Sequence, residues 1–136
     1  MIAESVLVDT HSFIWYLKAS PRLSANAREA IDSATTADIP VLVSAVTLVE
    51  LCYLVDKGTF SVDDYAAFLD VVDAENSSFE VVPMDAAVAK AVPLIPRSDI
   101  GDPFDRMIAA TAITRKVSLI TRDGLLRKLR SVVTIW

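Results

Sequence analysis

Residues 102–123 read Asp-Pro-Phe-Asp-Arg-Met-Ile-Ala-Ala-Thr-Ala-Ile-Thr-Arg-Lys-Val-Ser-Leu-Ile-Thr-Arg-Asp and predict a helix followed directly by a buried strand. Asp102 suits the N-cap and Pro103 suits the first helical position, so we expect a helix over Phe104–Arg115. The run Val117–Ile120 is continuously apolar rather than alternating, which is typical of a strand covered on both faces. The segment therefore predicts one helix–strand unit of a parallel sheet.

The same alternation of helical and extended segments continues over the rest of the chain. The predicted strands are Ser5–Val8, Pro40–Val43, Glu80–Val82, Val117–Ile120 and Val132–Ile135. The predicted helices are one that includes Phe13–Lys18, then Ser24–Ala34, Thr47–Lys57, Val62–Glu75, Asp85–Ala91 and Phe104–Arg115. Strands separated by helices form βαβ units. The predicted fold class is therefore α/β, a five-stranded parallel sheet flanked by helices, in a single domain over residues 1–136.

The composition excludes several classes of protein. Of the 136 residues 53% are apolar and 23% are charged, which excludes a mainly disordered chain. Cys52 is the single cysteine and excludes a disulfide scaffold, and together with the single histidine His11 it cannot supply the four ligands of a classical zinc site. The N-terminus does not read as a secretory signal, and no apolar run reaches the roughly 18 residues that span a bilayer. We therefore expect a cytoplasmic protein.

The charge is unevenly distributed along the chain. The formal net charge is −5, yet residues 97–136 hold four acids and eight bases. A locally basic segment leaves nucleic acid open as a partner. The basic residues that we consider for phosphate contacts are Arg97, Arg106, Arg115, Lys116 and Arg122.

Four acids stand where an α/β protein places its ligand site. Asp9 follows the first predicted strand and Asp123 follows the fourth, and ligands of open parallel sheets bind beyond these carboxyl ends. Glu50 and Asp105 lie near the starts of two predicted helices. Each acid also has a purely structural interpretation. Asp9 and Asp123 suit turns or caps, Glu50 has the capping-box spacing from Thr47, and Asp105 complements a helix dipole.

Four carboxylates at one edge of a sheet would repel one another and raise their own pKa values. A hard divalent cation that binds oxygen removes this conflict, and Mg²⁺ and Mn²⁺ suit carboxylate and water ligands. The topology therefore indicates a metal site formed by Asp9, Glu50, Asp105 and Asp123.

Five motifs carry a family resemblance that covers nearly the whole chain. They are Val-Asp-Thr-His at 8–11, Ser-Ala-Val-Thr-Leu-Val-Glu-Leu at 44–51, Asp-Pro-Phe-Asp-Arg-Met-Ile-Ala-Ala-Thr-Ala at 102–112, Leu-Ile-Thr-Arg-Asp at 119–123, and the closing Thr-Ile-Trp. In this order and spacing the chain resembles the PIN-domain ribonucleases, and among them the VapC-type toxins of bacterial toxin–antitoxin pairs.

The resemblance implies an endoribonuclease that depends on Mg²⁺ or Mn²⁺, hydrolyses RNA phosphodiester bonds and acts as a toxin. It implies that Asp9, Glu50, Asp105 and Asp123 are the catalytic and metal-binding residues, with Asp9 and Asp105 as the first choices for direct ligands. It also implies three partners: an RNA substrate, a cognate antitoxin protein and a second copy of the chain in a homodimer.

Other residues near these acids keep more than one interpretation. Thr10 and Thr121 match polar positions of the family, and Asp102 matches a position that is often acidic but is also the expected N-cap. His11 is expected to be structural, although it could also approach the substrate. Trp15 and Tyr16 are expected to be core or dimer contacts, although they could also stack on a base. The alternative function is a non-catalytic PIN-like module that binds RNA or protein. The four acids that are present favour the nuclease.

Overall fold

The predicted strands form one parallel sheet. The structure, a computed structural model, describes residues 3–136, so the first two residues of the predicted domain lie outside it. In this part of the chain the strands are β1 (Val6–Val8), β2 (Val41–Ser44), β3 (Phe79–Val82), β4 (Ser118–Ile120) and β5 (Thr134–Ile135). Their order in the sheet is β3-β2-β1-β4-β5, and each neighbouring pair is parallel. The predicted fold class is confirmed.

Helices connect the strands, as predicted. Over residues 3–136 they are α1 (Thr10–Leu17), α2 (Ala25–Thr36), α3 (Ala45–Asp56), α4 (Val62–Asp73), α5 (Ala86–Ala91), α6 (Pro103–Arg115) and α7 (Gly124–Arg127), with a short 3₁₀ helix at Val92–Leu94. The helix α1 begins before the predicted segment because Asp9 caps it. Among the described helices, none is long and apolar enough to cross a membrane.

A side-chain oxygen caps the start of every α-helix in residues 3–136. Each N-cap is a serine or an aspartate whose side chain accepts a hydrogen bond from a backbone amide of the first turn, which satisfies a donor that the helix itself cannot pair. The caps are Asp9, Ser24, Ser44, Ser61, Asp85, Asp102 and Asp123. The cap predicted at Asp102 is thus present.

The capping box considered for Thr47 and Glu50 is not formed. The helix α3 begins at Ala45, where the Ser44 hydroxyl accepts a hydrogen bond from the amide of Val46 at 3.1 Å. Ser44 ends a buried strand, so the chain turns into the helix three residues earlier than the spacing indicated. Glu50 is therefore free of a capping role and lies in the second turn of α3.

Apolar side chains cover both faces of the sheet. Val6 and Val8 of β1 belong to one buried cluster and Leu7 belongs to the other. This arrangement explains why the strands read as continuous apolar runs, because alternate side chains enter two different cores. Phe13 lies fully buried in the first cluster and makes edge-to-face contacts with Phe68 and Phe79. The helix that follows Asp9 is therefore anchored in the core.

Truncation of the Phe13 ring tests this anchor. We expect Phe13→Ala to lower the free energy of unfolding by about 3–5 kcal/mol, because it removes a buried ring and leaves a cavity. Phe13→Leu should cost about 1–2 kcal/mol and keeps the comparison possible if the alanine variant does not fold. The matched control is Val62→Ala, at a side chain that is 66% exposed, which should change stability by less than about 0.5 kcal/mol. Urea titration of all four proteins gives the values, and equal losses at both positions would contradict the prediction.

Candidate active site

The sheet topology brings the four predicted acids to one edge. Asp9 follows β1 directly, and Asp123 comes three residues after β4. The helix α3 leaves the carboxyl end of β2, which places Glu50 near that edge. The helix α6 must run back to the start of β4, so its first turn, with Asp105, also lies at the carboxyl edge.

A cavity of about 540 Å³ opens at this edge. Its lining includes Asp9, Glu50, Asp105 and Asp123 together with Asp102, a fifth carboxylate. The rest of the lining comes from a threonine, a histidine, a tryptophan and two arginines: Thr10, His11, Trp15, Arg22 and Arg122. The structure thus collects all the predicted acids in one cavity, and their catalytic role remains a prediction.

Asp9 is the most deeply placed of these acids, with 7% of its surface exposed. Its carboxylate caps α1 by accepting a hydrogen bond from the amide of Ser12 at 2.9 Å. Burial raises the pKa of Asp9, while the neighbouring Thr121 and Ser12 side chains and the charge of His11 act in the opposite direction. Asp9 is therefore a helix cap and also a buried carboxylate with a raised pKa in the cavity lining.

Glu50 is oriented by a threonine from another helix. The Thr10 hydroxyl donates a hydrogen bond of 2.6 Å to the Glu50 carboxylate, and the Thr47 hydroxyl lies 3.1 Å from that of Thr10. Because the single proton of Thr10 goes to the carboxylate, Thr47 is left to donate to Thr10. Burial raises the pKa of Glu50, and the bond from Thr10 opposes this shift. The pair Thr47 and Thr10 thus holds one carboxylate of the site in place.

Asp105 has a strongly raised pKa. Burial makes the largest contribution, the charges of Asp102, Asp123, Glu50 and Asp9 add to it in that order, and together they raise the pKa of the carboxyl from 3.8 to about 7. The carboxylates around Asp105 thus add to the effect of burial and disfavour its ionised form. A cation that binds here would stabilise the ionised form of these carboxylates.

Asp123 lies at the rim of the cavity and is exposed. Its carboxylate caps α7 by accepting hydrogen bonds from Leu125 and Leu126, at 2.8 and 3.0 Å. Its amide donates to the hydroxyl of the fully buried Thr121 at 3.0 Å. The Thr121 hydroxyl therefore lies between the backbone of Asp123 and the carboxylate of Asp9.

The donor set fits a hydrated hard cation. Every acidic ligand is an oxygen donor, which suits Mg²⁺ or Mn²⁺ better than soft metals. Among residues 3–136, no three histidine, cysteine or acidic side chains are gathered into a ready-made cluster of direct metal ligands. Mg²⁺ keeps several waters in sites with one or two direct carboxylate ligands.

The five basic residues predicted for phosphate contacts separate in the structure. Arg122 lines the cavity, whereas Arg106 donates from Nε to the carbonyl of Ile95 at 3.0 Å and supports the segment beside the 3₁₀ helix. Arg115 ends α6, at the opposite end from Asp105, and Lys116 follows it. Arg97 is exposed outside the cavity lining. Arg106 also donates to the carbonyl of Val92 at 3.5 Å, and its contact with phosphate stays a prediction.

Arg22 also lines the cavity, and it was not among the residues predicted from the sequence. It lies in the connection between α1 and α2, at a position where nothing local in the sequence marks an arginine as functional. Tyr16 lies outside the cavity lining, because its hydroxyl donates to Asp32 at 2.6 Å. His11 and Trp15 do line the cavity and therefore face whatever binds there.

The comparison with known proteins agrees with this fold. The family model described as PIN domain matches residues 6–131. The chain is 33% identical over 135 residues to Ribonuclease VapC22 of Mycobacterium tuberculosis, and the match covers 97% of this chain and 98% of that protein.

Two solved structures show the same fold at lower identity. A chain of VapBC2 from Rickettsia felis, bound to a DNA fragment of its promoter, matches with a TM-score of 0.71 at 15% identity, over 96% of this chain and 97% of that one. A chain of DNA-bound VapBC from Salmonella typhimurium matches with a TM-score of 0.67 at 24% identity, over 96% of each chain. With the family model and the relative taken together, the chain belongs to the PIN-domain family, and within it to the VapC group.

Proposed function

We propose that this protein is an endoribonuclease that depends on a divalent cation and acts as the toxin of a toxin–antitoxin pair. The observation that carries the proposal is the cavity in which Asp105, with a pKa of about 7, lies among four further carboxylates. The relative named Ribonuclease VapC22 supports RNA as the substrate class. When bound, Mg²⁺ or Mn²⁺ would polarise the phosphate and make water a stronger nucleophile.

The four acids have different proposed roles toward the cation. Asp9 and Asp105 are the carboxylates proposed to hold the cation directly, because Asp9 is buried in the cavity lining and the pKa of Asp105 is raised by burial and by the charges of four neighbouring carboxylates. Glu50 and Asp123 are proposed to act through water. Glu50 is suited to this because Thr10 already holds one of its oxygens, which leaves the other oxygen to orient a water molecule.

Phosphodiester hydrolysis breaks one phosphorus–oxygen bond, and the attacking water supplies the oxygen that replaces the leaving group. An anionic RNA backbone would be repelled by carboxylates alone. In this proposal the cation therefore neutralises these carboxylates before the substrate binds. The positive charges of Arg22 and Arg122, which line the same cavity, also favour the anionic backbone.

We propose a cognate antitoxin and a second copy of the chain as protein partners, and the cytoplasm as the place of action. Support comes from structural neighbours that were solved as VapBC complexes, and from large apolar side chains at the surface of the described residues. On α3, for example, Val49 and Tyr53 are 49% and 52% exposed. A homodimer predicts a mass by light scattering of twice the 14.8 kDa of one chain, and a mass of one chain would contradict it.

Cleavage of labelled RNA tests the proposed activity. We expect single-stranded and structured RNAs to be cut in Mg²⁺ or Mn²⁺ and left intact in EDTA. Asp9→Asn and Asp105→Asn should each lower the rate by roughly 100-fold or more, because each removes a charge that holds the cation. The matched control is Asp70→Asn, an exposed acid on α4 outside the cavity, which should cut as the wild type does.

Two results of this assay would contradict the nuclease. Activity that survives both site substitutions would show that another site or another protein cuts the RNA. RNA binding without cleavage, by well-folded protein in every cation tried, would support the non-catalytic binding module instead.

The raised pKa of Asp105 predicts how stability depends on pH when no cation is present. The folded chain holds this proton up to about pH 7, whereas the unfolded chain releases it near pH 4, so stability falls as the pH rises between these values. In EDTA at pH 8 we expect Asp105→Asn to be more stable than the wild type by roughly 1–2 kcal/mol, reduced from the full shift because the group is partly exposed to solvent. Near pH 4 the two proteins should be alike.

Urea titrations at pH 4 and pH 8 give these free energies of unfolding. Millimolar Mg²⁺ at pH 8 should stabilise the wild type more than the variant, because the cation binds the folded carboxylates. Asp70→Asn again serves as the control, and an Asp105→Asn protein that is no more stable than the wild type at pH 8 would contradict the prediction.

A further inference from the structure

One part of the cavity lining is aromatic and cationic rather than acidic. Trp15 is central to it: its ring centroid lies 5.7 Å from that of His11, and the Arg122 guanidinium carbon lies 5.9 Å from the Trp15 centroid. Arg22 belongs to the same cavity. We call His11, Trp15, Arg22 and Arg122 the aromatic–cationic wall. It lies beside the carboxylates, and the cation-binding role proposed above does not use it.

The Trp15 ring is held in place by the fold. His11 and Trp15 are one helical turn apart on α1, so their side chains share a face of that helix. Behind the cavity, Trp15 contacts the terminal Trp136, with 5.9 Å between the ring centroids, and packs against the buried cluster around Phe13. A half-buried ring fixed in this way loses little further conformational freedom when a ligand binds.

The two arginines of the wall keep their charge available. Among the described residues the ion pair formed joins Lys18 and Asp64, which are outside the cavity lining, and no carboxylate of residues 3–136 pairs with Arg22 or Arg122. This is notable because five carboxylates line the same cavity as these guanidinium groups. Two such groups beside a fixed aromatic ring match a nucleotide, which offers a flat base and a phosphate.

We propose that the aromatic–cationic wall is a nucleotide subsite next to the reaction centre. The base stacks on Trp15, and Arg122 and Arg22 contact the phosphates that flank the bond to be cut. This inference rests on the proposed ribonuclease function and adds to it the residues that position the substrate. A base can stack on Trp15 only if it is unpaired, so the subsite selects a single-stranded nucleotide at the point of cleavage.

Binding measured without cleavage tests the subsite. The probe is a 5′-labelled single-stranded RNA of mixed sequence, about 12 nucleotides long, and the background is Asp9→Asn, whose cleavage is blocked. We expect Trp15→Ala to weaken binding roughly 10-fold and Trp15→Phe to restore most of the loss, because phenylalanine keeps a stacking face. The same RNA annealed to its complement should bind weakly to all these proteins. Tyr65→Ala is the matched control, a half-buried aromatic on α4 outside the cavity lining.

The salt dependence of binding separates stacking from charge. Arg122→Ala should weaken binding and lower the slope of log affinity against log salt by about one, whereas Trp15→Ala should leave the slope unchanged. Arg122→Lys should keep the slope of the parent protein, since it keeps the charge. Urea titration checks that each variant is folded, and Trp15→Leu replaces the alanine variant if that protein is unstable.

Fluorescence reports the contact directly. The chain has two tryptophans, so Trp136→Phe leaves Trp15 as the single emitter, and we expect the single-stranded RNA to quench it. Unchanged emission, or equal affinities of Trp15→Ala and its parent, would overturn the subsite even if the wild type cuts RNA. Quenching and salt-dependent binding without any cleavage would instead overturn the proposed nuclease and leave the subsite standing.

In the cleaving protein the subsite predicts a change in KM. Trp15→Ala should raise KM about 10-fold with little change in kcat, as expected of a residue that positions substrate without touching the reacting atoms. A fall in kcat alone would contradict a positioning role.

Discussion

The main physical constraint on this site is that five carboxylates line the same cavity. Like charges in a partly buried place are unfavourable, and burial together with the charges of the neighbouring carboxylates raises the pKa of Asp105 to about 7. The fold supplies part of the compensation. Asp9, Asp102 and Asp123 are each the N-cap of a helix, so the positive ends of α1, α6 and α7 lie at the same edge of the sheet. Helix ends and hydrogen bonds reduce the repulsion, and the raised pKa values show that they do not remove it.

The core maintains this unfavourable arrangement. The amide of Asp9 donates to the carbonyl of Ile120, and the Ser12 hydroxyl donates to the same carbonyl, both at 3.1 Å. These bonds join the start of α1 to the end of β4, which is the segment that leads to Asp123. Phe13 ties the same helix to the apolar cluster on one face of the sheet. The acids are therefore close together because buried strands and rings hold their backbones there, and not because the side chains attract one another.

Charge is also divided within the cavity. Carboxylates dominate its lining, while Trp15, Arg22 and Arg122 form an aromatic and positive part that makes no ion pair with the described acids. A uniformly acidic cavity would exclude a polyanion, and a uniformly basic one would not hold a cation. Both parts side by side are consistent with the proposed phosphodiester substrate, whose reacting phosphate would lie at the acids and whose neighbouring nucleotide would lie at the wall.

The sequence by itself determined the strands, most of the helices and the four acids. These features have local signals: continuous apolar runs for strands with two covered faces, side-chain caps for helices, and acids placed directly after strands. The signal failed where two local patterns competed. Thr47 and Glu50 have the spacing of a capping box, yet Ser44 caps the helix. Only the tertiary structure decided that Glu50 meets Thr10, 40 residues away.

Tertiary packing likewise decided which basic and aromatic residues meet the site. Arg106 donates a hydrogen bond to the carbonyl of Ile95. Arg22 lines the cavity although it lies in a connection that has no motif. Trp15 contacts Trp136, which is 121 residues away in the sequence. The spacing of residues along one segment encodes which residues form an element and which face they share. The direction of a long side chain depends on neighbours that fold in from other segments, and no local pattern records them.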